Sequence, residues 1–140
     1  MKQAIPHMQT HGGGRVLNVA SLGGFMPGPH AAVYAATKAY VLSLSQAVNE
    51  ELSGTGVTVT ALCPGVTKTN FHNDAEMLES RALQLPRMAA FPVAEEGWLE
   101  ARIGKPVVVP GVMNKLTVIL GWLMPRPWLV RLMKLALAKG

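Results

Sequence analysis

Cysteine is nearly absent from this sequence: Cys63 is the only one in 140 residues. A lone cysteine excludes an internal disulfide and any cysteine-based metal site. The first residues lack an apolar signal-peptide core, so a reducing, cytoplasmic setting is the expectation. His7, His11, His30 and His72 fall in four segments without ligand spacing, and no metal is expected. Acid is missing from one end only. Residues 1 to 100 hold six basic and eight acidic side chains, whereas no Asp or Glu follows Glu100. Arg102, Lys105, Lys115, Arg126, Arg131, Lys134 and Lys139 make the last forty residues strongly basic. Charge confined to one segment is not a general nucleic-acid surface, and no arginine-and-aromatic pattern of an RNA module is present. A membrane-spanning run is lacking too: the apolar stretch from Leu116 to Met124 is far short of ~18 residues and stops at Pro125.

What is present suffices for one packed domain, since 49% of the residues are hydrophobic. After the glycine run Gly12 to Gly14, the segment Arg15 to Ser21 is apolar and partly β-branched and reads as a buried strand. Glycines and prolines from Gly23 to Pro29 interrupt both strand and helix patterns, so a loop is expected there. From Ala31 to Leu52 a helix is expected, with Val41, Leu44, Val48 and Leu52 on one face and Ser53-Gly54 and Gly56 stopping it. Val57 to Leu62 supplies a second strand, ended by Pro64-Gly65. Strand, crossover helix and strand make a right-handed parallel βαβ unit.

Residues 66 to 103 read as a long connection with one helix near Asp74 to Leu83 and a less regular portion rich in Met, Pro and Trp. Lys105 to Pro110 reads as a third short strand. Leu116, Ile119, Leu120 and Leu123 then mark an apolar helical face, and a final helix is expected from Trp128 to Ala138.

The chemistry is concentrated at three side chains. Tyr34 and Lys38 are four apart on the expected helix, so both project from one face, ~5–6 Å apart at Cβ. A phenol with a pKa near ~10 is a poor base at neutral pH, but a nearby ammonium favours the phenolate. Ser21, at the end of the preceding strand, is placed to donate a hydrogen bond to a carbonyl or alkoxide beside the tyrosine. A tyrosine and lysine at this spacing are common in helices, and their context is what singles them out. Asn18-Val-Ala-Ser21, Gly23-Gly-Phe-Met-Pro27, Tyr34-Ala-Ala-Thr-Lys38 and Val57-Thr-Val-Thr-Ala-Leu-Cys-Pro-Gly65 follow in one order at compact spacing.

With these four segments the chain resembles the C-terminal half of the short-chain dehydrogenase/reductase family, over nearly its whole length. The resemblance implies an α/β fold: part of a Rossmann-like, doubly wound parallel sheet of about three strands with flanking helices. Residues 1–111 would be the catalytic half of that domain, and 112–140 a basic, amphipathic helical C-terminal extension. It implies an oxidoreductase that transfers hydride between NAD or NADP and a small-molecule alcohol or carbonyl substrate. Tyr34 would exchange a proton with the substrate oxygen. Lys38 would lower the tyrosine pKa and bind the nicotinamide ribose, and Ser21 would orient the carbonyl. The family's Pro-Gly-x-x-x-Thr segment matches Pro64, Gly65, Val66, Thr67, Lys68 and Thr69, a loop that lies against the nicotinamide, with Thr69 helping to hold the cofactor. Thr67 stands where a valine is common, at a position used through its backbone. Residues 70 to 103 would be the substrate-covering region, with Phe71, Met77, Met88, Phe91 and Trp98 as candidate lining.

The family's glycine-rich turn for the cofactor pyrophosphate has no match, because Gly12 to Gly14 precede a strand instead of joining strand to helix. The expected consequence is an open edge and an uncovered apolar face at the strand 15–21, with self-association into a homo-oligomer or pairing with something else. The alternative is a truncated, non-catalytic remnant acting as an interaction or membrane-surface module. In the last helix Leu129, Leu132, Met133 and Ala136 share one face opposite Arg131 and Lys134, with Trp128 at the border. That pattern is compatible with peripheral contact of 116–139 with an anionic membrane. Cys63, at the end of a buried strand, is expected to be an inert core thiol.

Overall fold

A computed structural model of the chain describes residues 1, 3–68 and 87–138. Helix α1 (Ala4–Thr10) leads into strand β1 (Gly14–Val19), a 3-10 turn at Leu22–Phe25, helix α2 (Ala32–Glu51) and strand β2 (Val57–Leu62). The two-residue strands β3 (Thr67–Lys68) and β4 (Met88–Ala89) follow, then α3 (Ala90–Arg102), β5 (Val107–Val108), α4 (Val112–Leu123) and α5 (Arg126–Ala136). Strands β1, β2 and β5 form one parallel sheet in that order, with Gly14 opposite Val57 and Val19 opposite Leu62. Ala61 and Leu62 pair in turn with Val107 and Val108. Separately, β3 and β4 pair in parallel.

The central strand β2 is buried on both faces, which is why its sequence does not alternate in polarity. Its side chains divide by parity. Val57, Val59 and Ala61 join clusters with Leu42, Leu52 and Val48 of α2, while Leu62 joins Val93 of α3 and Val108 of β5. The sheet is thus a middle layer between α2 and α3, an α/β sandwich with β1 at its edge. The expected open edge is present, and the expected uncovered face is there in part: α3 lies over β1 and β2 and Leu17 packs against its cluster, whereas Val19 is left 57% exposed.

Several expectations are revised. The first strand ends at Val19 instead of Ser21, and a 3-10 turn occupies part of the expected loop. In α2 the expected Val41 and Val48 pack against the core and Leu52 just beyond the helix is buried, but the helix's own buried residues are Ala35, Leu42 and Ser45. The third strand shrinks to Val107–Val108, since Pro106 and Pro110 have no N–H to donate to the ladder. Helix α3 replaces the irregular portion expected before residue 103. Its buried stripe is Val93, Gly97 and Ala101, and a methyl on Gly97 would lie 2.7 Å from Leu62 Cδ2. The expected helix at 74–83 lies outside the described residues. The last helix starts and ends two residues earlier than expected. His7 and His11 are also not separate: one turn apart at the end of α1, their rings stack with centroids 4.0 Å apart.

Candidate active site

The site is assembled at the C-terminal ends of β1 and β2, where the chain leaves the sheet on both strands. Beyond Val19, Ala20 still donates to Leu62 O at 2.8 Å, and Leu22 N–H then donates to Pro64 O at 2.9 Å. These two bonds hold the Ser21 segment beside the Pro64-Gly65 loop. Ser21 caps the 3-10 turn, its Oγ accepting the Gly23 N–H at 3.1 Å. A hydroxyl that accepts there keeps its own hydrogen to donate elsewhere.

Helix α2 brings Tyr34 and Lys38 to the same place. Gly23 lies between Ser21 and the tyrosine: a methyl built on it would stand 3.5 Å from Tyr34 Cε1 and 3.6 Å from Ser21 Oγ. The Lys38 ammonium donates to Val19 O at 3.0 Å and lies 5.8 Å from the centre of the Tyr34 ring. Close approach of the turn to the helix is made through Gly24, where a Cβ would be 2.9 Å from Lys38 O.

Cys63 completes the wall. It is fully buried, and burial pushes its thiol up from 9.0 to about 11. A hydrogen bond from the Ser21 backbone and the Lys38 charge oppose that effect without cancelling it. The expected inert core thiol is what this environment produces.

Of the expected site residues, Ser21, Tyr34, Lys38, Pro64 and Gly65 come together, with Val66 and Thr67 continuing the same loop. Thr67 Oγ1 donates to Gly65 O at 3.0 Å, and Val66 O accepts the Met88 N–H at 3.0 Å. Thr69, Phe71 and Met77 lie outside the described residues. Met88 is half-buried in the α3 cluster, whereas Phe91 and Trp98 are exposed. The glycine run is packing, as its place before a strand suggested: a Cβ on Gly13 would be 2.5 Å from Gly56 O, at the opposite end of the sheet.

Sequence reasoning missed Asn114. Its Nδ2 donates to Pro110 O at 2.6 Å, and its amide sits where a Gly65 side chain would be, 2.6 Å from the ideal Cβ. Asn114 therefore braces the Pro64-Gly65 loop against the start of α4. The available signal was a single amide three residues after Gly111, itself at φ +86°.

Comparison with known proteins agrees with this geometry. The family model for short chain dehydrogenases matches residues 1–79. An uncharacterized oxidoreductase of Staphylococcus epidermidis is 33% identical over 89 residues, 64% of this chain and 39% of that protein. The D-beta-hydroxybutyrate dehydrogenase of Rhizobium meliloti is 38% identical over 69 residues, 49% of this chain and 27% of that one. Among solved structures, a short-chain dehydrogenase from Sphingobium yanoikuyae in complex with NADPH superposes with a TM-score of 0.68 at 29% identity, covering 84% of this chain and 46% of that one. The chain spans well under half the length of the curated relatives it matches.

Proposed function

The chain belongs to the short chain dehydrogenase family, and from that premise we propose that it is the catalytic part of an NAD- or NADP-dependent oxidoreductase acting on a small-molecule alcohol or carbonyl compound. Residues 1–111 form the catalytic unit in this reading, and 112–140 a basic helical extension. The observation that carries it is the convergence of Ser21 Oγ and the Tyr34 ring on Gly23, with the Lys38 ammonium 5.8 Å from that ring.

The residues present fit the nicotinamide end of such a cofactor. The Lys38 ammonium and the Tyr34 hydroxyl suit ribose hydroxyls, and the Pro64 to Thr67 backbone suits the nicotinamide ring. The Gly12 to Gly14 run, closed against Gly56, does not fit a pyrophosphate. When bound, the cofactor supplies or accepts the hydride. In the reducing direction Tyr34 gives its phenolic proton to the substrate oxygen as that oxygen gains charge, and takes one back in the oxidising direction. Lys38 stabilises the phenolate left behind. Ser21 donates its hydroxyl hydrogen to the same oxygen, aimed by the Gly23 N–H that Oγ accepts.

The reading is tested by titrating the purified chain with NADH and NADPH, following nicotinamide fluorescence, and then assaying alcohol and ketone turnover. Saturable binding together with turnover that Tyr34→Phe abolishes supports it. Turnover unchanged in Tyr34→Phe removes this residue from the mechanism, and a folded chain that binds neither cofactor leaves the reading without its reaction.

A further inference from the structure

The apolar face expected on α4 is exposed, whereas on α5 the expected face of Leu129, Leu132, Met133 and Ala136 is turned inward at Leu129 and another apolar row is left outside. Leu116, Ile119, Leu120 and Leu123, spaced to share one face of α4, are 45%, 52%, 62% and 76% exposed. On α5, Trp128, Leu132 and Leu135 repeat the same spacing and are 66%, 49% and 64% exposed. The inward contacts are few. Val118 and Leu129 are buried, and Gly121 packs against Met26 with a Cβ position 3.6 Å from its Cγ. Two successive helices therefore hold to the body by narrow seams and present their broader apolar faces to the outside. Exposure on this scale marks a docking surface.

The charge around it selects the occupant. Arg131 and Lys134 border the exposed row of α5, and neither is in an ion pair among the described residues. Lys115 meets Glu96 at 3.9 Å, and Lys105 meets Glu100 at 3.0 Å. Arg131 opens directly into a groove formed with Met124, Pro125, Trp128, Leu132 and Leu135. Since the chain carries no acid beyond Glu100, a second copy docked face to face here would bring cations against cations. An anionic lipid surface answers both properties, with acyl chains for the leucines, headgroups for the tryptophan rim and negative charge for Arg131 and Lys134. Spanning is excluded for these helices. Of the described helices none is long and apolar enough to cross a membrane, and Pro125 separates α4 from α5.

We propose that α4 and α5 bind the chain peripherally to anionic membranes through Leu120, Leu123, Trp128, Leu132 and Leu135, with Arg131 and Lys134 at the headgroups. This goes beyond the catalytic reading and does not depend on it, because the readout is lipid binding alone.

The test is flotation of the full chain with vesicles of phosphatidylcholine, with and without phosphatidylglycerol, at low and raised salt. The expected result is recovery with the anionic vesicles only, weakened by salt. Tryptophan emission should shift to the blue, and lipids brominated in the acyl chain should quench it. Arg131→Glu with Lys134→Glu should weaken binding roughly tenfold or more. Leu132→Lys with Leu135→Lys should abolish it, and both pairs lie on the exposed side, where folding is unaffected. A folded chain that stays out of the anionic vesicles overturns the proposal, as does binding indifferent to lipid charge and salt. A dimer that the leucine pair dissolves, in a chain that ignores vesicles, overturns it in favour of an interface between copies.

Discussion

Lys38 Nζ and Val19 O are joined at 3.0 Å, so the helix that carries Tyr34 is tied by its own lysine to the strand that leads into Ser21. One side chain thus has two duties: it fixes the relative position of helix and strand, and it sets the charge beside the phenol 5.8 Å away. These duties separate on substitution. Lys38→Met should lose both, lowering turnover roughly 100-fold and the urea midpoint slightly. Lys38→Arg keeps a cation able to donate to Val19 but replaces a compact ammonium with a planar fork. Its urea midpoint should return to that of the parent while turnover stays low. A fully active arginine variant would show that position, and not the ammonium, is what the site requires.

Gly23 and Gly24 are neighbours with opposite tolerances. A Cβ on Gly23 meets Tyr34 and Ser21 at ordinary contact distances of 3.5 and 3.6 Å, whereas one on Gly24 meets the helix backbone at Lys38 O, 2.9 Å away. A helix backbone cannot step aside as a flexible side chain can. Gly24→Ala should therefore cost about 1–3 kcal/mol in chemical denaturation. Gly23→Ala should leave stability nearly unchanged yet raise KM, because its methyl intrudes between the two hydroxyl-bearing side chains. Equal stability losses in the two variants would contradict the geometry of the turn.

The contrast between legible and illegible parts of this fold has a physical basis. Val57 to Leu62 was read with both ends correct because a β-branched run is stopped by glycine on one side and proline on the other. Ser21, Tyr34 and Lys38 were legible as a group because their residue types and spacing form a local pattern that the fold then brings together. Asn114 was not, since it acts on the glycine of another segment and no local pattern links positions 65 and 114. Helix α3 was hidden by its own packing: Gly97 and Ala101 approach the sheet closely and contribute little hydrophobic signal. In α4 periodicity located the helix and its apolar face correctly, but periodicity does not say what that face meets, and Val118 on the other side is the buried residue.

Ser45 is the polar centre of the α2 interface. Its Oγ donates to Val41 O at 2.6 Å and accepts from Asn18 Nδ2 at 2.9 Å, with no exposure to solvent. Ser45→Ala removes the acceptor and leaves the Asn18 amide against an apolar neighbour, at an expected cost of about 1–2 kcal/mol. In the double variant with Asn18→Val, the loss should be smaller than the sum of the two single losses, because the orphaned partner is removed as well. A strictly additive cycle in urea denaturation would show that the two side chains do not interact.

Cys63 gives the fold a pH dependence whose sign is set by burial. Its thiol is raised from 9.0 to about 11, chiefly by desolvation, so the unfolded chain ionises first as pH rises. The contribution to stability is complete below pH 9.0 and is lost as pH climbs toward about 11. Across that window the parent should lose roughly 2–3 kcal/mol more than Cys63→Ala, which lacks the thiol and is otherwise the same chain. The Cys63→Ala chain should start less stable, since deleting the sulfur leaves a gap against Ala20, Leu42 and Ala61. The two stability curves should therefore converge with rising pH. Parallel curves would mean that the thiol reaches solvent in the native state, and rapid alkylation at neutral pH without denaturant would report the same failure of burial.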